Sequence, residues 1–233
     1  MKLVYKVLLF FIVFFLISII DAGYMMNRAI RLIPNLAAII ILIYSYKLNS
    51  NKYILGFLVL LLLSAIASFD YENMLLRRAT IIFSFLAYLV LGFSILPKVG
   101  KLKTNWFLSV YFIIALLVAI YLFSQLLDIS KAAFEGKIEY MLFMLNSIGF
   151  IFVIASAMLY IHHSPNKRAM LFLLIVMVFI LSEMTRFALY YSDVYIDFFY
   201  YSCRFFYVLG LALVIYYCGL NKRQKLSSEI SYG

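Results

Sequence analysis

A chain of 233 residues that is 67% hydrophobic and 13% charged, with 23 Phe and 20 Tyr, carries more apolar surface than a soluble domain of that length can bury. The apolar residues form continuous runs without strand-like alternation, which disfavours a transmembrane barrel and points to an all-α, polytopic membrane helix bundle. The formal charge of +10 suits positions beside anionic lipid head groups and calls for no nucleic-acid partner.

Taken in chain order, eight runs approach the length a helix needs to cross a bilayer. They fall at roughly 4–20, 29–46, 53–69, 79–96, 106–127, 139–161, 169–190 and 197–220, by the rule of about 20 apolar residues per span. The first follows Lys2 and Lys6 like a secretory leader. Ile19-Ile20-Asp21-Ala22-Gly23 lacks the small residue expected before a cut, so the run is expected to remain as a first helix. Connections are short, so residues 1–220 read as one transmembrane domain and 221–233 as a short polar tail.

Lys and Arg set the expected orientation. With eight spans both termini share one side, together with Lys2, Lys6, Lys47, Lys52, Lys98, Lys101, Lys103, Lys167, Arg168, Lys222, Arg223 and Lys225. The opposite side holds Arg28, Arg31, Arg77, Arg78, Lys131 and Lys137. The excess marks the cytoplasmic side, so both termini are expected inside the cell. The compact chain suggests a bacterial inner membrane.

Polar residues at membrane depth are costly and mark function or pairing. Glu183 lies in the seventh run, about 22 Å from Arg168 along a core about 30 Å thick. Arg204 lies about 10 Å below Asp197 in the eighth run. Asn35 and Asn146 reach similar depths in the second and sixth runs, and Asp70 and Glu72 close the third. Glu183, Arg204, Asn35 and Asn146 therefore share a layer, with Asp70 and Arg78 just above it. Tyr88, Tyr207 and Ser84 are placed to line the same space.

The same residues also have plainer uses. Arg204 can snorkel to the interface. Glu183 and Arg186, three apart, can pair on one helix face. Asp70 can be a solvated helix end, and the two asparagines can be interhelical glue. Cys203 and Cys218 lie fifteen residues apart on one run, about 22 Å at helical rise, too far for a disulfide. His162-His163 before Ser164-Pro165-Asn166 reads as a surface turn rather than a metal site. There is no phosphate-binding glycine loop, no Gly-x-Ser-x-Gly elbow and no His-Glu-x-x-His. No cofactor is expected. A transporter would need a continuous polar route, and the inner halves of the runs are almost wholly apolar.

Phe179-Ile-Leu-Ser182-Glu183, followed by Tyr200-Tyr201-Ser-Cys-Arg204-Phe-Phe-Tyr-Val-Leu-Gly210, resembles the YhhN (lysoplasmalogenase-like) family of integral membrane proteins with about eight helices. Leu63-Ser64-Ala-Ile-Ala-Ser-Phe-Asp70 and Phe83-Ser-Phe-Leu-Ala-Tyr88 resemble its third and fourth helices. Glu183 stands where the family has aspartate, and Arg204 where it usually has a neutral amide. The resemblance implies hydrolysis of the vinyl ether bond of a lysoplasmalogen, with a membrane lysophospholipid as partner. A protonated carboxyl would deliver a proton to carbon and a second group would place the water. Low dielectric disfavours a carboxyl's charged form, so Glu183 is the expected acid and Asp70 the expected water-orienting carboxylate. Arg204, Asn35, Asn146, Tyr88 and Tyr207 would bind substrate, Arg204 through phosphate. The competing expectation is a non-catalytic lipid-binding scaffold, sensor or subunit in which Glu183 and Arg204 pair structurally.

Overall fold

A computed structural model of the protein describes residues 12, 13, 16, 24–46, 52–70, 72–98, 106–130, 136–191 and 197–231. The described elements are helices α1 (Tyr24–Tyr46), α2 (Lys52–Ala67), α3 (Met74–Phe93), α4 (Trp106–Ser130), α5 (Lys137–His163), α6 (Lys167–Tyr191) and α7 (Asp197–Ser231), with short 3-10 turns at Ser68–Asp70 and Leu96–Lys98. The run at 4–20 lies outside the described residues except for 12, 13 and 16, which are helical. Lys2, Lys6, Lys47, Lys101, Lys103 and Lys131 of the charge count also lie outside them.

Five of the described helices are long and apolar enough to cross a membrane: Lys52–Asp70, Met74–Phe93, Lys137–His163, Lys167–Leu189 and Phe198–Leu220. Within α1 and α4 the apolar described stretches are shorter, Arg31–Tyr44 and Leu116–Gln125. A helix suits such sequence because it satisfies its own backbone polar groups where water is absent. The polar residues after Leu220 prolong α7 as helix to Ser231.

Local signals set the helix ends. Asn73 caps α3, its side-chain carbonyl accepting from the Leu75 N–H at 3.0 Å. Asn166 does the same for α6, accepting from the N–H groups of Arg168 and Ala169, each at 3.0 Å. Pro165 just before it closes off the preceding helix.

Six helices close a ring in which α1 packs on α2, α2 on α3, α3 on α5, α5 on α6, α6 on α7, and α7 back on α1. Its interior is aromatic. Phe57 of α2 meets Phe179 of α6 across the ring at 5.2 Å between centroids, and Tyr88 of α3 meets Phe150 of α5 at 4.7 Å. α4 sits outside, against α5. It turns Phe123 and Leu127 inward and exposes Ile113, Ile114, Leu117, Val118 and Tyr121, as a lipid-facing helix does.

Hydrogen bonds between helices fasten the ring. Ser64 Oγ of α2 donates to the Thr80 carbonyl of α3 at 3.1 Å and lies 3.0 Å from Ser84 Oγ. Such bonds contribute little in a membrane, because the unfolded chain also finds partners there. Ser64→Ala is therefore expected to cost only about 0.6 kcal/mol, read from thermal unfolding in detergent. A loss several times larger would make this contact a keystone of the bundle.

Candidate functional site

Three helices bring their polar residues to one place. On α1, Arg31 and Asn35 are four residues apart and share a face. Pro34 lies between them inside the helix and offers no N–H to the Ile30 carbonyl. On α6, Phe179, Ser182, Glu183 and Arg186 fall on one side by the same spacing. On α7, Tyr200, Cys203, Arg204 and Tyr207 do likewise.

Glu183 is the hub, only 4% exposed. Its Oε1 accepts from the Arg31 guanidinium and its Oε2 from that of Arg186. The pair with Arg186 is the one its three-residue spacing implies. The Arg31 guanidinium also lies over the Tyr207 ring, 4.9 Å from the centroid. Arg204, 1% exposed, donates to the Tyr200 hydroxyl and stacks 3.8 Å from the centre of that ring. Ser182 Oγ donates to the Cys203 carbonyl at 2.9 Å and ties α6 to α7 beside the hub. Arg31 and Arg186 keep 12% and 14% of their side chains exposed, so the centre reaches the surface through its two guanidiniums.

Asn35, Tyr88, Tyr207 and Asn146 are all buried. Asn35 spends its amide N–H on the Leu58 carbonyl at 3.2 Å, the interhelical use asparagine commonly finds in membranes. Its Oδ1, the hydroxyls of Tyr88 and Tyr207, Asn146 Oδ1 and Arg31 Nη1 are buried without a hydrogen-bond partner among the described residues. The Tyr207 hydroxyl approaches Asn35 without meeting hydrogen-bond geometry. Tyr88 lies within electrostatic reach of Glu183, Arg31 and Arg186. Asn146 stands one helical turn before Phe150, the ring that meets Tyr88. Buried polar atoms without partners are rare in folded proteins, and each signals a bound water, an ion or a role.

Asp70 occupies a different environment. It is exposed, at the end of the 3-10 turn after α2, and its backbone carbonyl accepts from the Asn73 N–H at 3.2 Å. One carboxyl is therefore buried between guanidiniums and the other faces outward.

Sequence reasoning nominated neither Arg31 nor the second buried ion pair. Arg77 of α3 donates through Nε and Nη2 to Glu139 Oε1 of α5, at 2.9 and 2.6 Å, and Glu139 is 1% exposed. The available signal was spacing: Arg31 stands one turn before Asn35, a residue already assigned to the polar layer. Among the described residues no three His, Cys, Asp or Glu side chains gather as a metal site. Both cysteines are buried and neither forms a disulfide.

Two guanidiniums about one carboxylate leave one positive charge. With two unpartnered tyrosine hydroxyls and a free guanidinium nitrogen nearby, the arrangement is equipped to receive an anion. Compared with known proteins, the chain matches no family model, no curated protein and no solved structure.

Proposed function

We propose that the chain is an integral membrane protein that recognises the anionic head group of a lipid at Arg31, Arg186 and Glu183. On this reading it forms eight spans with both termini cytoplasmic, in keeping with the twelve-to-six split of Lys and Arg between the two sides, and it resides in a bacterial inner membrane. The observation that carries the reading is the uneven ionic centre. Two guanidiniums share Glu183, and Arg31 Nη1 is buried without a partner among the described residues. An unbalanced cation inside a membrane is expensive, and a phosphate supplies both the missing charge and acceptors matched to guanidinium geometry.

Titrating the purified protein with lysophosphatidic acid and with a neutral monoacylglycerol of the same chain tests this. The acid is expected to bind at least tenfold more tightly, about 1.4 kcal/mol. Arg186→Gln, which leaves Glu183 its Arg31 partner, is expected to erase most of the difference. Equal binding of the two lipids would reduce the centre to a structural ion pair.

A hydrolytic reading, lysoplasmalogenase-like, draws on the same site. Its support is that Tyr88 and Tyr207, within electrostatic reach of Glu183, each present a buried hydroxyl without a hydrogen-bond partner among the described residues. It places Glu183 as acid and Asp70 as the group that orients water. Against it, both oxygens of Glu183 already accept guanidinium hydrogens, so a proton there would displace a donor. Aldehyde release from a lysoplasmalogen that stops in folded Glu183→Gln and Asp70→Asn would install this reading; no release would remove it.

A further inference from the structure

The end of the bundle opposite to Glu183 carries a second feature. Where α6 begins and the apolar part of α7 ends, a groove of about 550 Å³ is lined by Lys167, Arg168, Met170, Leu174, Tyr216 and Leu220. Its apolar wall is open, with Met170 65%, Leu174 49% and Tyr216 44% exposed. From Lys167 to Leu174 the helix rises about 10 Å, so a basic mouth leads into an apolar channel along the helix axis. Among the described residues no acidic side chain lines it.

The basic mouth is organised. Arg168 Nη2 donates to the Leu220 carbonyl at 3.1 Å, which fixes the guanidinium across α7. Its Nε is buried without a hydrogen-bond partner among the described residues. Lys222, Arg223 and Lys225 follow Leu220 within the next two turns of the same helix. The apolar spans Lys167–Leu189 and Phe198–Leu220 both stop at this level, so the groove's charged end coincides with the depth of lipid phosphates and its apolar end with acyl chains.

We propose that this groove holds an anionic diacyl phospholipid, its phosphate at Lys167 and Arg168 and one acyl chain along Met170, Leu174 and Tyr216. The charge is complementary, the groove opens toward the apolar phase, and a guanidinium donor is already positioned. A zwitterionic lipid brings the same chains but repels the basic mouth with its own cation. The site is independent of the Arg31–Glu183 centre.

Native mass spectrometry of the full chain, released from detergent with phosphatidylglycerol or phosphatidylcholine of identical acyl chains, tests the proposal. Wild type is expected to retain phosphatidylglycerol about thirtyfold better, the effect of two nearby basic residues at a membrane surface. Soluble glycerol phosphate is expected not to remain bound. Lys167→Glu should bring the two lipids to parity, and Leu174→Trp, which fills the channel, should lower retention of both. Both positions are exposed or half-exposed, and unchanged unfolding temperatures would verify that the variants fold. Binding at the Arg31–Arg186 centre does not respond to either change, since both lie at the other end of α6. Equal retention of the two lipids by wild type overturns the proposal, as does a preference that survives both substitutions. Retention of glycerol phosphate as strong as that of the lipid would make this a soluble-anion site. A lipid-free dimer lost in Leu174→Trp would assign the groove to a second copy of the chain.

Discussion

Glu183→Gln is expected to destabilise the protein by about 3–5 kcal/mol, the cost of removing one partner from a buried ion pair. The substitution hardly changes shape. It removes the one charge that Arg31 and Arg186 share and turns an amide N–H toward a guanidinium that has only donors. Glu183→Asp separates geometry from charge: it keeps the carboxylate but shortens the reach by a methylene, so one of the two arginines loses its contact and an intermediate loss is expected. Replacing the whole triad, Arg31→Met with Glu183→Leu and Arg186→Met, should recover most of the stability, because an apolar core needs no counter-charge. Thermal unfolding in detergent measures all three. The lipid reading adds a second readout, since Glu183→Gln makes the centre more positive. Lysophosphatidic acid should therefore raise its unfolding temperature more than it raises that of the wild type. A Glu183→Gln protein as stable as the parent would mean the carboxylate holds nothing together.

The contrast between Glu183 and Arg31 shows what a sequence of this kind reveals. Glu183 stands inside an unbroken apolar run, where any charge is conspicuous. Arg31 stands near the start of its run, where it counts as one more juxtamembrane cation, yet α1 begins at Tyr24 and carries Arg31 well into the bundle. The same blurring hides Arg77 and Glu139, both near run ends and paired across α3 and α5. Asp70 looks equivalent to Glu183 in sequence because both close or interrupt apolar runs. Only the turn at Ser68–Asp70 leaves Asp70 outside. Helix identity was legible because length and hydropathy decide it. Glu183, Arg204, Asn35 and Asn146 were expected in one layer because helical rise converts position into depth, and all four are buried. Which guanidinium meets which carboxylate depends on helix rotation and neighbour order. Those follow from packing between distant segments, α1 against α7 above all, and leave no local mark.

Gly210→Ala is expected to cost about 1–3 kcal/mol, the usual penalty for a methyl forced into a packed core. A Cβ at Gly210 would meet the Phe179 ring at 2.9, 3.0 and 3.1 Å, the first closer than real Cβ atoms pack and the others tighter than most. Phe179 cannot swing away freely. It is fully buried, with Phe57 5.2 Å away on one side and Tyr207 6.0 Å on another, centroid to centroid. The glycine therefore lets α7 approach α6 closely enough for Phe179 to pack against Tyr207, the ring beneath the Arg31 guanidinium. Displacing that ring should disturb the ionic centre one turn above it, so lysophosphatidic acid binding is expected to weaken along with stability. Phe179→Leu in the Gly210→Ala background supplies the control: the smaller side chain makes room for the methyl and should restore part of the unfolding temperature, whereas Phe179→Leu alone lowers it by leaving a cavity. That opposite sign in the two backgrounds separates a steric clash from a general loss of helix packing. Two losses that simply add would mean that Gly210 and Phe179 act independently and that the close approach of α6 and α7 does not position the centre.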